Sequence, residues 1–298
     1  MCGIVGLFLK DSSLEPKLGR MLTDMLVTMT DRGPDSAGIA IYGQNLDDNI
    51  KLTLQSDQAD EDFATLADNL GAKIGVPVSI RRKDTHAVLE LPAHKAGEVR
   101  RVIDERYESI RVMSAGDTME IYKEVGLPKD VASRFDIPKM SGTHGIGHTR
   151  MATESAVTTM GAHPFSTGPG QCLVHNSSLS NHNSLRRKLR RAGVQIDTEN
   201  DTEVGAAYLT WKMQQGSSLD EALESCLDDL DGFFTFLVGT KDGFGVVRDP
   251  IACKPAVMAE TDQYVAFGSE YRALVNLPGI ENANVWEPEP ATVYFWKH

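Results

Sequence analysis

Residues 2–9 read CGIVGLFL, which is one cysteine followed by the apolar run Gly3–Leu9. A continuous apolar run of this length is consistent with a strand that is buried on both faces. A lone cysteine is most often a small core residue. Removal of Met1, however, would leave Cys2 with a free α-amine, a group whose pKa is about 7.7–8.0 in model peptides. One residue would then carry a thiol nucleophile and a nearby base, the pairing that covalent catalysis needs.

The remainder of the chain has the composition of an ordinary folded protein, with 298 residues of which 41% are hydrophobic. This length can bury one large core, or one core and a smaller inserted one. Acidic residues outnumber basic ones by 42 to 30, for a net charge of -12, so we expect no nucleic-acid partner. No apolar stretch approaches the roughly 18 residues of a membrane span, and no basic and apolar leader opens the chain. We expect a cytoplasmic protein that does not enter a membrane.

The cysteines and histidines do not predict a metal site. The four cysteines are Cys2, Cys172, Cys226 and Cys253. Their wide spacing, without a CxxC pair, argues against both a disulfide framework and zinc, and the last three are expected to be core residues. Four histidines between residues 144 and 175 match no common ligand spacing, and they are His144, His148, His163 and His175. We therefore expect no metal.

The first region of the chain predicts a strand, a helix and a turn. After the apolar run, six residues recur at helical spacing and predict one apolar helix face: Leu18, Met21, Leu22, Met25, Leu26 and Met29. Residues 32–38 read RGPDSAG, a Gly/Pro-rich turn that leads into a strand over 39–42.

Residues 45–140 are richer in charge and alternating patterns, and they predict an insertion between 1–44 and 141–298. We expect strands at 51–55, 76–81, 86–91 and 110–113, with helices at 61–70 and 96–107. This β-α-β-β-α-β order is that of a ferredoxin-like unit.

Residues 141–298 predict a strand-rich, antiparallel region that shares one core with residues 1–44. Strands are expected at 233–240, 245–248, 256–259, 264–268 and 292–296. A helix is predicted over 202–215, with Asp201 as its cap, and an acidic helix over 218–230.

One polar motif offers donors for an oxyanion. Residues 175–181 read HNSSLSN, and the side-chain amide of Asn176 with the backbone N–H of Ser177 could stabilise the tetrahedral oxyanion that forms when a thiol attacks an amide. Taken alone, an Asn-Ser pair is usually only a turn. By the same standard, Arg150 could be a surface arginine and Asp201 only a helix cap.

Eight short motifs together carry a resemblance. They are CGIVG at 2–6, RGPDSAG at 32–38, GHTRMAT at 147–153, HPF at 163–165, HNSSLSN at 175–181, NDTE at 200–203, RDP at 248–250 and FGSE at 267–270. Their order is that of class II glutamine amidotransferases, and the chain is similar to that family over about two thirds of its length. The insertion and the absence of a fused synthase most resemble the small amidotransferase-like subunits of glutamate-synthase-related enzymes, including the first subunit of N-methylglutamate synthase.

The resemblance implies an α+β fold of the N-terminal-nucleophile type, with two antiparallel sheets packed between helical layers. It implies that Cys2 attacks the side-chain amide of glutamine, releases ammonia and leaves a thioester for water to resolve, with Asn176 and Ser177 as the oxyanion hole. Arg150 would bind the substrate α-carboxylate and Asp201 the α-ammonium, a pair that recognises an amino acid. Thr153 would assist in binding.

The turn at residues 32–38 and Gly3, the residue after Cys2, would support the site. We expect Gly3, Arg32 and Asp35 to hold the loop around Cys2. No cofactor is expected in this chain, while FMN and an iron–sulfur cluster would reside in partner subunits.

Little sequence follows the strand predicted over 292–296, so the ammonia would be used by a separate glutamate-synthase-like subunit in a hetero-oligomer. The alternative is a non-catalytic scaffold subunit, because Ser177 stands where the family has glycine and Glu154 where several members have histidine. A terminal-nucleophile hydrolase of another amide fits less well, since Arg150 and Asp201 suit an α-amino acid.

Overall fold

The computed structural model describes residues 2–152 and 156–298, apart from the side chain of Ser177. The strands are β1 (Gly3–Leu9), β2 (Ser36–Tyr42), β3 (Asn49–Gln55), β4 (Ser79–Lys83), β5 (His86–Pro92), β6 (Arg111–Gly116), β7 (Met119–Val125), β8 (His144–Arg150), β9 (Phe165–Gly168), β10 (Gln171–Leu179), β11 (Gly232–Thr240), β12 (Gly243–Arg248), β13 (Val257–Glu260), β14 (Tyr264–Gly268), β15 (Asn284–Trp286) and β16 (Val293–Lys297). The helices are α1 (Leu18–Val27), α2 (Ala59–Asp62), α3 (Leu66–Ile74), α4 (Ala96–Arg106), α5 (Pro128–Arg134), α6 (His182–Arg191), α7 (Asp201–Gln214) and α8 (Leu219–Asp229).

Two antiparallel sheets form the main body. One has seven strands in the order β15-β13-β14-β1-β8-β2-β7, and the other has five in the order β16-β12-β11-β10-β9. The core between the two sheets includes Ile4, Phe8, Tyr42, Ile146, Val174, Leu237 and Phe244. Helix α1 packs on the outer face of the first sheet and helices α6, α7 and α8 pack on that of the second. The predicted α+β sandwich of two antiparallel sheets between helical layers is confirmed.

The apolar run that opens the chain is buried on both faces, as predicted. Val5 and Leu7 pack toward α1, while Ile4 and Phe8 point into the core between the sheets. A Cβ atom at Gly6 would lie 2.6 Å from Leu237 Cδ2, so glycine allows the sheets to approach closely here. Strand β1 is thus fixed from both sides, directly after Cys2.

The inserted unit has its own sheet, in the order β4-β5-β3-β6, with every pair antiparallel. Helices α3 and α4 contribute to its separate core. Its elements follow the predicted β-α-β-β-α-β order, with the first helix divided into α2 and α3. The predicted boundary at residue 140 differs from the structure, because β7 pairs with β2 in the seven-stranded sheet. The sheet of the insertion ends at Gly116, and the division into domains stays a prediction with this boundary moved to about residue 117.

The beginning of α7 also differs from the prediction. Asn200 is the N-cap, and its side chain accepts a hydrogen bond of 2.9 Å from the backbone N–H of Thr202. Asp201 is therefore the first residue of the helix, and its carboxylate is available for other contacts. In residues 2–152 and 156–298, no helix is both long and apolar enough to span a membrane.

Candidate active site

A cavity of about 530 Å³ opens at one end of the two sheets. Its wall combines the start of β1, the end of β8, the end of β10 and the start of α7. The residues of interest that line it are Cys2, Arg150, His163, His175, Leu179 and Asp201. The structure therefore brings together three residues that are distant in sequence, Cys2, Arg150 and Asp201, around one space.

The backbone of Cys2 is held by two side chains. Its carbonyl oxygen accepts a hydrogen bond of 2.9 Å from Arg32 Nε and one of 3.3 Å from Asn176 Nδ2. The next residue, Gly3, donates its N–H to Thr149 Oγ1 at 3.2 Å, and a Cβ at Gly3 would lie 2.8 Å from that oxygen. The half-buried Cys2 is thus fixed at the cavity wall.

Arg32 stands in a short 3₁₀ turn, Thr30–Arg32, and is 8% exposed. Its Nη1 lies 2.5 Å from Glu270 Oε1, and Glu270 also contacts Arg272 Nε at 2.8 Å. The hydrogen bond from Arg32 lowers the pKa of Glu270. Glu270 therefore holds the guanidinium that contacts Cys2.

Asn176 and Ser177 lie in β10, where they pair with Thr235 and Phe234 of β11. Asn176 is 5% exposed, and its amide contacts the nucleophile's own carbonyl. Only the strand backbone of Ser177 is described. The expected oxyanion hole stays a prediction, with Asn176 beside Cys2.

Arg150 and Asp201 place opposite charges on the cavity wall. Arg150 Nη1 donates to Ala156 O at 3.3 Å. Asp201 Oδ1 lies 3.4 Å from His175 Nε2, and Oδ2 accepts a hydrogen bond of 3.0 Å from the N–H of Leu179. Burial by itself raises the pKa of Asp201, but interaction with His175 and the hydrogen bond from Leu179 together lower it well below its ordinary range. A fixed cation and a fixed anion thus line the space that Cys2 faces.

Asp35 contacts a different partner from the one expected. It accepts a hydrogen bond of 2.8 Å from the N–H of Ala152 and donates its own N–H to Arg150 O at 3.1 Å. It therefore holds the chain after Arg150, whereas the expectation placed it at the loop around Cys2. Thr153 and Glu154 lie outside the described residues, as does Met1.

Buried histidines pack beneath the cavity. The rings of His148 and His163 stack with centroids 3.9 Å apart, and His163 Nε2 lies 2.6 Å from Thr202 Oγ1. Burial lowers the pKa of His148 to about 3 and that of His163 well below 6.5, so both rings are neutral near pH 7. Within the described part of the chain, no three His, Cys, Asp or Glu side chains form a group that could hold a metal.

Two further residues that support the cavity had no assigned role in the sequence interpretation. Glu203 accepts hydrogen bonds from the N–H groups of Asp197 and Thr198, at 2.7 and 2.6 Å, next to the cavity wall. Lys123 donates to three carbonyl oxygens of residues 160–164. The sequence signs of Glu203 were its place in the NDTE motif and in the first turn of α7, and Lys123 gave none.

Two antiparallel sheets between helical layers, with a cysteine next to the first strand and facing a cavity, define the N-terminal-nucleophile class of fold. The comparisons with known proteins agree. A family model described as "Glutamine amidotransferase domain" matches residues 148–276. The glutamine amidotransferase-like protein GlxB of Rhizobium meliloti is 68% identical over 298 residues, which cover 100% of this chain and 99% of that protein. A putative glutamine amidotransferase of Methanothermobacter thermautotrophicus is 34% identical, with 99% of each chain covered.

The fold also resembles solved structures. Glutamine phosphoribosylpyrophosphate amidotransferase from B. subtilis superimposes with a TM-score of 0.63 at 18% identity. The match covers 99% of this chain and 47% of that one, so the present chain corresponds to about half of the larger enzyme. This chain belongs to the class II glutamine amidotransferase family.

Proposed function

We propose that this chain hydrolyses the side-chain amide of glutamine, with Cys2 as the nucleophile after Met1 is removed. The observation that carries the proposal is the common cavity of Cys2, Arg150 and Asp201. A guanidinium suits an α-carboxylate through paired hydrogen bonds, and an ionised carboxylate suits an α-ammonium. Family membership supports glutamine as the amide.

The proposed reaction proceeds in two stages. The free α-amine takes the thiol proton as Cys2 Sγ forms a bond to the side-chain carbonyl carbon. Asn176 Nδ2 and the N–H of Ser177 donate to the oxyanion, and its collapse breaks the C–N bond and releases ammonia with the transferred proton. Water then adds to the glutamyl thioester, which gives glutamate and restores the thiol.

We further propose that the ammonia passes to a separate glutamate-synthase-like subunit, as in an N-methylglutamate-synthase type complex, whose FMN and iron–sulfur chemistry lie outside this chain. The proposal is supported by the relative from Rhizobium meliloti, which is matched over 99% of its length and so is an amidotransferase-like chain of similar size. Partner binding should raise the rate of hydrolysis, because glutamine hydrolysis without an acceptor is futile.

The test measures glutamate release by the full chain, alone and with co-purified subunits, on protein whose mass shows loss of Met1. Cys2→Ser should abolish release. The control Cys253→Ser should leave it unchanged, because Cys253 is exposed and is not the core residue that the sequence predicted, unlike the buried Cys172 and Cys226. Absence of release in both preparations would support the scaffold alternative. Full activity of the isolated chain without a stable complex would overturn the partner proposal.

A further inference from the structure

Strand β7 carries a carboxylate that joins three separate segments. Glu124 is 7% exposed, and its Oε2 accepts a hydrogen bond of 3.0 Å from Thr85 Oγ1, in the turn between β4 and β5 of the inserted unit. The other oxygen accepts a hydrogen bond from Thr159 Oγ1, and Arg134 of α5 lies 3.7 Å from Oε2. One side chain thus connects the insertion with the segment that contains Thr159.

The preceding residue holds the same segment. Lys123 is 3% exposed, and its Nζ donates to Ala162 O at 2.8 Å and to the carbonyls of Met160 and Pro164 at 3.3 Å. A buried amine is costly unless its hydrogen bonds are satisfied. Because three carbonyls of one segment satisfy it, the position of Lys123 and the course of residues 160–164 depend on each other.

Residues 156–164, here called the cavity loop, form one wall of the cavity. Ala156, Thr158, Met160, Gly161 and His163 all line it. The loop also sets the place of the proposed carboxylate-binding group, because Ala156 O accepts from Arg150 Nη1 and a Cβ at Gly161 would lie 3.3 Å from the same nitrogen. A shift of the loop would move the Arg150 guanidinium.

We propose that the inserted unit positions the glutamine-binding cavity through the path Thr85, Glu124 and Thr159, with Lys123 holding the rest of the loop. Thr85, Glu124 and Lys123 are positioning residues and do not touch substrate. The inserted unit, which has its own core, then also helps to hold the substrate-binding wall in place. This inference rests on the proposed function, since it names what holds the substrate-binding wall in place.

The test uses substitutions in the insertion, remote from substrate. Thr85→Val removes the hydroxyl that donates to Glu124 and that also lies 3.1 Å from His86 Nδ1, whereas Thr85→Ser retains it. The matched control is Thr65→Val, at an exposed threonine of the same unit whose hydroxyl oxygen accepts a hydrogen bond from the nearby Asn69. We expect Thr85→Val to raise the KM for glutamine about fivefold, the effect of one hydrogen bond, with kcat within about twofold. Thr85→Ser should restore KM, and Thr65→Val should not change it.

A second measurement separates this inference from the proposed function. Hydrogen–deuterium exchange of the backbone amides in the cavity loop requires no catalysis. It should be faster in Thr85→Val and Glu124→Gln than in the wild-type chain, and unchanged in Thr65→Val. If the wild-type chain hydrolyses no glutamine while these exchange differences appear, the proposed function fails and the positioning path stands. The inference would be overturned if the cavity loop of Thr85→Val exchanged at the wild-type rate. It would also be overturned if Thr85→Val, Thr85→Ser and Thr65→Val all showed the same loss of kcat and the same rise of KM.

Discussion

The guanidinium of Arg32 reaches across the end of the sheet and donates to the carbonyl oxygen of Cys2, 2.9 Å from Nε. Thirty residues of chain separate the two, and only the fold brings them together. Arg32 is in turn held by Glu270 from the region just after β14. The placement of the nucleophile therefore depends on both ends of the sequence.

We expect Arg32→Lys to lower kcat for glutamine hydrolysis by about ten- to hundredfold with little change in KM, because small displacements of a reacting group have effects of this size. Lysine keeps the charge that faces Glu270 but cannot also donate from the position of Nε. The control is Arg20→Lys, because the side chain of Arg20 is 71% exposed and pairs with Asp24 on the same helix. Steady-state kinetics and thermal melting measure both variants, and an unchanged kcat in Arg32→Lys would contradict the supporting role.

The four cysteines should react differently with two reagents. A glutamine-analogue diazoketone should alkylate Cys2 alone, since only Cys2 faces the cavity. Iodoacetamide should modify Cys2 and the exposed Cys253, whereas burial raises the pKa of Cys172 to about 12 and raises that of Cys226 as well. Peptide mapping after each reagent identifies the sites. Labelling of Cys253 by the diazoketone at a rate equal to that of Cys2 would mean that the reagent is not guided by the cavity.

Asp201→Asn should raise the KM for glutamine about ten- to hundredfold, which is the range for loss of a charged hydrogen bond to an α-ammonium. The same substitution should raise the KM for a glutamine analogue that lacks the α-amine much less. The control Asp228→Asn removes an exposed carboxylate of α8. Comparing the two substrates in each variant measures the contribution of the charge, and equal losses for both substrates would assign Asp201 a structural role.

Acid should destabilise the fold through buried histidines. Burial lowers the pKa values of His86, His144 and His148 to about 3, from 6.5 in an unfolded chain. Between about pH 6.5 and 3 the unfolded chain binds protons that the folded chain excludes, so the free energy of unfolding decreases as pH falls. Each ring contributes a slope of up to about 1.4 kcal/mol per pH unit. Urea unfolding should show a shallower dependence on pH in His144→Gln and an unchanged one in His94→Gln, at an exposed histidine.

Ser177→Gly should leave the rate of glutamine hydrolysis unchanged or raise it. Residue 177 lies inside β10 and pairs with Phe234 of β11. Any residue can adopt the extended backbone of a strand. Glycine would keep the N–H that is proposed to face the oxyanion. A marked fall in kcat for this variant would show that the serine side chain itself contributes.

The sequence predicted best where structure follows from local pattern. The apolar run of β1 and the helical spacing before α1 required no knowledge of distant residues. Strand β7 was not predicted, because Glu120, Lys123 and Glu124 give it a polar pattern although all three are largely buried. Their partners come from the insertion and from the cavity loop. Contacts of this kind cannot be predicted from a pattern of residues that are close together in the sequence.

The candidate site was predictable to a similar extent. The ordered motifs indicated Cys2, Arg150 and Asp201, which the fold places around one cavity. Local reasoning made Asp201 a helix cap, but Asn200 takes that place and leaves the carboxylate to His175 and Leu179. The supporting contacts to backbone carbonyls could not be predicted, because any polar side chain can make them.

The place of β1 in its sheet has a consequence for how the protein is synthesised. A ribosome makes β1 before the strands on either side of it, β8 and β14, which end at Arg150 and Gly268. Pairings between such distant segments form late, because a long loop must be closed before they are made. A nascent chain therefore carries an apolar strand without either of its neighbours until residues 144–150 have been made, and the cavity wall around Cys2 is incomplete until the residues up to Thr202 follow.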